Sequence, residues 1–132
     1  MNFFSRKKQE KLSEVDMLLQ KFNTMHLSWK LCDNYDLAKY EAPFQTKGTE
    51  DDAPQYGKIT MYEYYDQEPV YEITITICDT VFAKFSVPTR SKWAAALHTQ
   101  AVEQAQAAQK SKDMSQQSLL EKRCRNILSL LP

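Results

Sequence analysis

Between Val70 and Cys78 apolar and polar side chains alternate without a slip: Tyr71, Ile73, Ile75 and Ile77 share one face, and Glu72, Thr74, Thr76 and Cys78 share the other. A period of two over that length, rich in β-branched residues, predicts a central β-strand. After Asp79 and Thr80 the alternation resumes, with Val81, Ala83, Phe85 and Val87 on one side and Phe82, Lys84 and Ser86 on the other, so an antiparallel partner is expected. Upstream, Lys58–Tyr65 sets Ile59, Met61 and Tyr65 against Thr60, Tyr62 and Tyr64. Trp29 and Leu31 alternate with Lys30 and Cys32 over Ser28–Asp33. A weaker strand, Leu37–Ala42, ends at Pro43, a residue that belongs at a strand end or a sheet edge. Asp33–Asp36 and Asp66–Pro69 carry turn chemistry. Consecutive strands joined by short turns pair side by side, which predicts a meander of four or five antiparallel strands.

The period then lengthens at both ends of the chain. From about Ser5 to about Met25, Leu12, Val15, Leu19 and Phe22 form a helical stripe widened by Leu18 and Met25. From about Lys92 to Lys110 an alanine- and glutamine-rich helix carries Trp93, Leu97, Ala101, Ala105 and Ala108 as a narrow stripe. Asp113 followed by Gln116 resembles a capping box and predicts a fresh helix start. In that last helix Leu120, Cys124, Ile127, Leu128 and Leu131 form the stripe, and Leu119 and Leu130 widen it beyond what one neighbour needs. Leu119, Leu120, Ile127, Leu130 and Leu131 are therefore candidate contacts of a homodimer. The expected fold is α+β, in one domain over 1–132: an N-terminal helix (1–27), an antiparallel sheet (28–88) with an acidic loop (44–57), and two C-terminal helices (89–132) packed on one sheet face.

At 132 residues, such a chain buries roughly 65–70% of its unfolded surface without a metal or disulfide staple. Cys32, Cys78 and Cys124 are widely spaced and odd in number, which suits a reducing compartment, and no run nears the ~20 apolar residues that span a bilayer. A cytoplasmic location with no membrane partner is expected. The formal net charge is zero but unevenly spread: +3 over 1–30, −8 over 31–79 and +5 over 80–132, from six basic against three acidic, three against eleven, and eight against three side chains. An acidic middle flanked by basic ends steers partners by sign.

Catalytic chemistry is thin. Gly48 and Gly57 are the only glycines, too few for a phosphate-cradling loop, a dinucleotide fingerprint or a nucleophile elbow. His26 and His98 have no cysteine or second histidine at zinc spacing. Cys32 and Cys78, read as lying on neighbouring strands, lack further ligands. Glu50, Asp51 and Asp52 are hard oxygen ligands in type, but without the calcium-loop spacing they read as a solvated loop or a partner contact. Neither a metal nor a cofactor is expected.

The outer sheet face is the richest surface. Tyr62, Tyr64, Glu72, Thr74, Thr76, Phe82, Lys84 and Lys30 mix aromatic rings, hydroxyls and charge, as binding surfaces do. The leading expectation is a non-enzymatic protein-interaction or regulatory module, an inhibitor or adaptor whose acidic loop faces a basic partner. Some small cytoplasmic proteins of phage or mobile elements can work in this way, and such an origin is a further expectation. The alternative is nucleic-acid binding through the basic ends, with Arg6, Lys7, Lys8, Arg123 and Arg125 as contacts. A small-ligand carrier or enzyme with a pocket between sheet and helices ranks third.

Overall fold

A computed structural model of the chain describes residues 12–64 and 69–132. Within them lie helix α1 (Glu14–Thr24), strands β1 (Lys30–Asn34), β2 (Leu37–Gln45), β3 (Tyr56–Tyr64), β4 (Val70–Ile77) and β5 (Thr80–Pro88), and helix α2 (Lys92–Leu130). The strands form one antiparallel sheet in the order β1-β2-β3-β4-β5. This is the expected α+β meander, with five strands and with its helices on a single face.

Alternation sets that face. Ile59, Met61 and Ile73 are fully buried, Tyr71 and Ile75 nearly so, and β2 adds Ala38, Tyr40 and Ala42. Leu19 and Phe22 of α1 and Ala94, Leu97 and Ala101 of α2 close the core from above. Gly57 lies opposite Phe44 in the β2–β3 ladder. A side chain at Gly57 would run into the Phe44 ring, so the glycine lets that ring lie flat across β3, where Phe22 meets it edge-on at 5.2 Å.

Helix α1 opens at Ser13, whose Oγ accepts from Asp16 N–H at 3.0 Å, a side-chain cap on one of the orphan donors of the first turn. The expected start at Ser5 lies outside the described residues. Side-chain amides fasten α1 and its exit to α2. Asn23 Nδ2 donates to the Leu19 and Trp93 carbonyls, and Gln100 Nε2 donates to Asn23 Oδ1. Gln104 clasps the connector between α1 and β1: its Oε1 accepts from Trp29 N–H at 2.7 Å and its Nε2 donates to Leu27 O at 2.9 Å.

Four expectations are corrected. The two C-terminal helices are one, a 39-residue rod. Asp113 does not open a helix but sits inside one, accepting from Gln109 Nε2 one turn earlier. The chain from Ser91 to Leu131 contains neither glycine nor proline, so propensity carries the helix through a local capping pattern. Only the first third of this rod packs on the sheet. In β5 the pairing slips by one residue: Ile75 faces Ala83 but Thr76 faces Val81. This bulge takes Val81 off the core face and leaves it 59% exposed. The β4–β5 turn is Cys78–Asp79, both at positive φ, the signature of a two-residue hairpin turn. Finally, β2 continues to Gln45 and β3 begins at Tyr56, so Pro43 lies inside β2. It falls past Glu41, the last residue of β2 that pairs with β1, where no neighbouring strand asks for its missing N–H.

Candidate functional site

The outer sheet face gathers most of the residues singled out by sequence. β3 brings Tyr62 and Tyr64, β4 brings Glu72, Thr74 and Thr76, and β5 brings Lys84, with Tyr62 opposite Glu72 and Thr74 opposite Lys84. Phe82, the extra residue of the β5 bulge, is 66% exposed. Among the described residues no helix covers this face.

Its polar groups are largely engaged with one another. Tyr64 Oη donates to Glu72 Oε2 at 3.0 Å, and this bond, helped by partial burial, holds the Tyr64 phenol above its ordinary range. Tyr62 stacks on Tyr64 with ring centroids 6.4 Å apart, and Lys39 Nζ lies 5.8 Å over the Tyr62 ring. Glu41 Oε1 stands 3.4 Å from both Lys39 Nζ and Lys58 Nζ. Burial pushes the Glu41 carboxyl up, but a hydrogen bond from Cys32 and the two ammonium groups outweigh it and hold the carboxyl below its usual range. The Cys32 thiol is raised by burial and by Glu41, which works against thiolate formation. Sequence reasoning missed Lys39, Glu41 and Lys58 as a unit, because only the β1-β2-β3 register places them side by side.

The acidic loop sits at one end of this face, beside the Cys78–Asp79 turn, whose Cys78 N–H donates to Tyr56 O. It is shaped rather than slack. Thr46 N–H and Thr46 Oγ1 pair with Gln55 across its neck, and Asp52 N–H donates to Thr49 Oγ1 while Asp52 O accepts from Thr49 N–H. Glu50, Asp51 and Asp52 are exposed at its tip, and Tyr56, Val81 and Phe82 are exposed at the same end of the sheet. Tyr62, Tyr64 and Glu72 mark the opposite end of the sheet, so the proposed contact residues occupy one face but two separate ends of it.

Cys32 and Cys78 are not on neighbouring strands: β2 and β3 stand between β1 and β4. Among the described residues no group of three or more His, Cys, Asp and Glu is placed to hold a metal ion. His98 belongs to a cluster that sequence reasoning did not find. Its ring stacks on Tyr71 at 4.8 Å and meets Tyr40 edge-on at 5.8 Å. Its Nε2 lies 2.8 Å from Glu63 Oε2, out of line for a straight hydrogen bond. Burial and the Glu63 charge raise the Tyr71 phenol. This aromatic box packs α2 onto the sheet.

The third surface is the far part of α2. From Gln106 onward every residue is exposed; Gln106, Ala108, Gln109 and Lys112 still border clefts against β1, and Asp113–Leu130 runs on from there for about 27 Å at 1.5 Å per residue. It carries Met114, Leu119, Leu120, Ile127, Leu128 and Leu130, each between 49% and 82% exposed, with Leu131 just beyond. Lys110, Lys112, Lys122, Arg123 and Arg125 against Asp113 and Glu121 make it basic. Arg6, Lys7 and Lys8 lie outside the described residues. No helix among the described residues is long and apolar enough to cross a membrane. No protein-family model matches the sequence, and neither the curated proteins nor the solved structures contain a match.

Proposed function

We propose that this chain is a non-enzymatic protein-interaction or regulatory module whose contact element is the projecting half of α2, with the acidic end of the sheet as a second surface for a basic partner. One observation carries the reading: the 18 residues of α2 from Asp113 to Leu130 carry large, exposed apolar side chains and pack against no other element among the described residues. In proteins most helical stability comes from packing of an apolar face, and this stretch of α2 has such residues with nothing described over them. The exposed carboxylates of Glu50, Asp51 and Asp52, held on a bonded loop, suit an inhibitor or adaptor that faces a basic groove. A cytoplasmic setting fits three exposed, unpaired thiols.

The basic residues of the arm favour a second reading, in which Lys110, Lys112, Lys122, Arg123 and Arg125 contact nucleic acid. Affinity capture of the tagged chain from its native lysate, with and without nuclease, separates the two. A stoichiometric protein partner that survives nuclease is the expected result, and its loss when Glu50, Asp51 and Asp52 are neutralised assigns the acidic loop to the contact. Recovery only without nuclease, together with binding that falls steeply with salt, transfers the function to nucleic acid.

A further inference from the structure

We propose that the arm of α2 pairs with the same arm of a second copy of this chain, antiparallel, over Leu120–Leu131. The inference rests on the reading of the arm as a contact element and names what it contacts. Leu120, Cys124, Ile127 and Leu131 are spaced by four, three and four residues, which is the seam of a left-handed helix pair and is complementary to another helix with the same spacing. Leu128 and Leu130 flank this seam, and Leu119 extends it at one border. The six exposed large side chains from Leu119 to Leu131 offer on the order of 600 Å² of apolar surface per copy, close to the roughly 800 Å² per partner of a standard interface.

Orientation follows from the seam positions just upstream, Lys110, Asp113 and Gln117. In a parallel, in-register pair each would face its own twin, lysine on lysine and aspartate on aspartate, and like charges in a seam are destabilising. A two-fold axis between Arg125 and Asn126 instead sets Leu120 against Leu131 of the copy and Cys124 against Ile127. Lys110 and Asp113 then fall outside the overlap. Arg123 and Glu121 lie beside Leu130 and Leu128 of the copy, where their aliphatic stems cover apolar surface, and the two helix dipoles run in opposite directions.

Sedimentation equilibrium on the full chain tests the pairing, and a spin label on Ser111→Cys, with Cys32 and Cys78 changed to Ser and Cys124 to Ala, tests its direction. The expected results are a monomer–dimer equilibrium whose Kd rises at least about 100-fold in Leu120→Asn/Ile127→Asn, and a label separation of about 45 Å, set by the 1.5 Å rise of two opposed helices. A wild-type chain that stays monomeric at the highest soluble concentration overturns the proposal. So does a dimer indifferent to the double substitution, or a label separation near 10 Å, the spacing of parallel neighbours. The wild-type measurement decides even if the labelled variant folds poorly. A monomer that still captures a protein through the arm refutes self-pairing and spares the interaction reading, whereas a monomer that captures nothing refutes both.

Discussion

The two parts of α2 make opposite use of apolar side chains. Along Lys92–Ala105 the helix buries Ala94, Leu97 and Ala101 against the sheet and spends mostly alanine there. Along Gln106–Leu130 it carries its leucines and isoleucine, and it buries none of them. Small residues bring a helix backbone close to a sheet, where contact density rather than side-chain size does the holding. Large residues on the uncovered part have no such neighbour among the described residues. One continuous rod therefore joins a segment that completes the domain to a segment that completes nothing in it, and the hydrophobic weight lies on the second. A helix built only to cap the sheet would end near Gln106.

The largest expected effect tests that division directly. Leu97→Ala removes a fully buried side chain at the helix–sheet contact and should cost about 2–5 kcal/mol in chemical denaturation. Leu128→Ala, on the 68% exposed part, should change the stability of the dilute chain by no more than about 0.5 kcal/mol. Equal losses for the two substitutions at nanomolar concentration would break the comparison, because the arm would then be packed within its own chain.

A middle-sized effect lies at the boundary between the two parts. Gln104 bonds to the body near the point where α2 leaves the sheet, through Trp29 N–H and Leu27 O. Gln104→Ala strips partners from a donor and an acceptor of the part-buried connector, at a cost of about 1–2 kcal/mol. Hydrogen exchange should then quicken at Trp29 and along the adjoining turn of α2, while Ala94–Ala101 keeps most of its protection. Unchanged exchange at Trp29 would show that the clasp does not set where the rod leaves the sheet.

The division of β3 and β4 into two faces was legible in the sequence, because period-two alternation needs no tertiary information to be read, but which set of β3 meets the core was not decided by pattern alone. The stripes of α1 and of the first part of α2 were legible for the same reason at period 3.6. What escaped was non-local. The continuity of α2 was hidden by a local pattern at Asp113 and Gln116 that imitates a helix start; the counter-signal, forty residues free of glycine and proline, was weaker to the eye but stronger physically. The Val81–Phe82 bulge depends on how β5 pairs with β4. The Gln104 clasp joins residues 75 and 77 positions apart, and the His98 box joins three strands and a helix. The arm leucines were expected on a separate helix packed on the sheet, and their exposure follows from the continuity of α2, which carries them past the described body.

The smallest effect concerns the open face of the sheet, where the ionic cluster makes a claim that can be titrated. Glu41 lies between Lys39 and Lys58, and its carboxyl is held below the usual range in the folded chain. A group whose folded value is depressed contributes stability above its unfolded value, about 4.3 for glutamate, and loses it as pH falls through the lower folded value. Glu41→Gln should therefore cost about 0.5–1 kcal/mol at pH 7, a modest figure because both lysines are about one-third exposed and solvent screens the pair. That difference should shrink as pH drops below about 4.3 and should also shrink in molar salt. A cost that persists unchanged at pH 3 would mean that Glu41 acts through packing over β2 and β3 and not through its charge. The polar face would then differ from the arm only in chemistry, since each would be a surface shaped for something beyond the domain; a cost that titrates away makes the face self-satisfied, and leaves the arm as the part of the chain whose needs lie outside it.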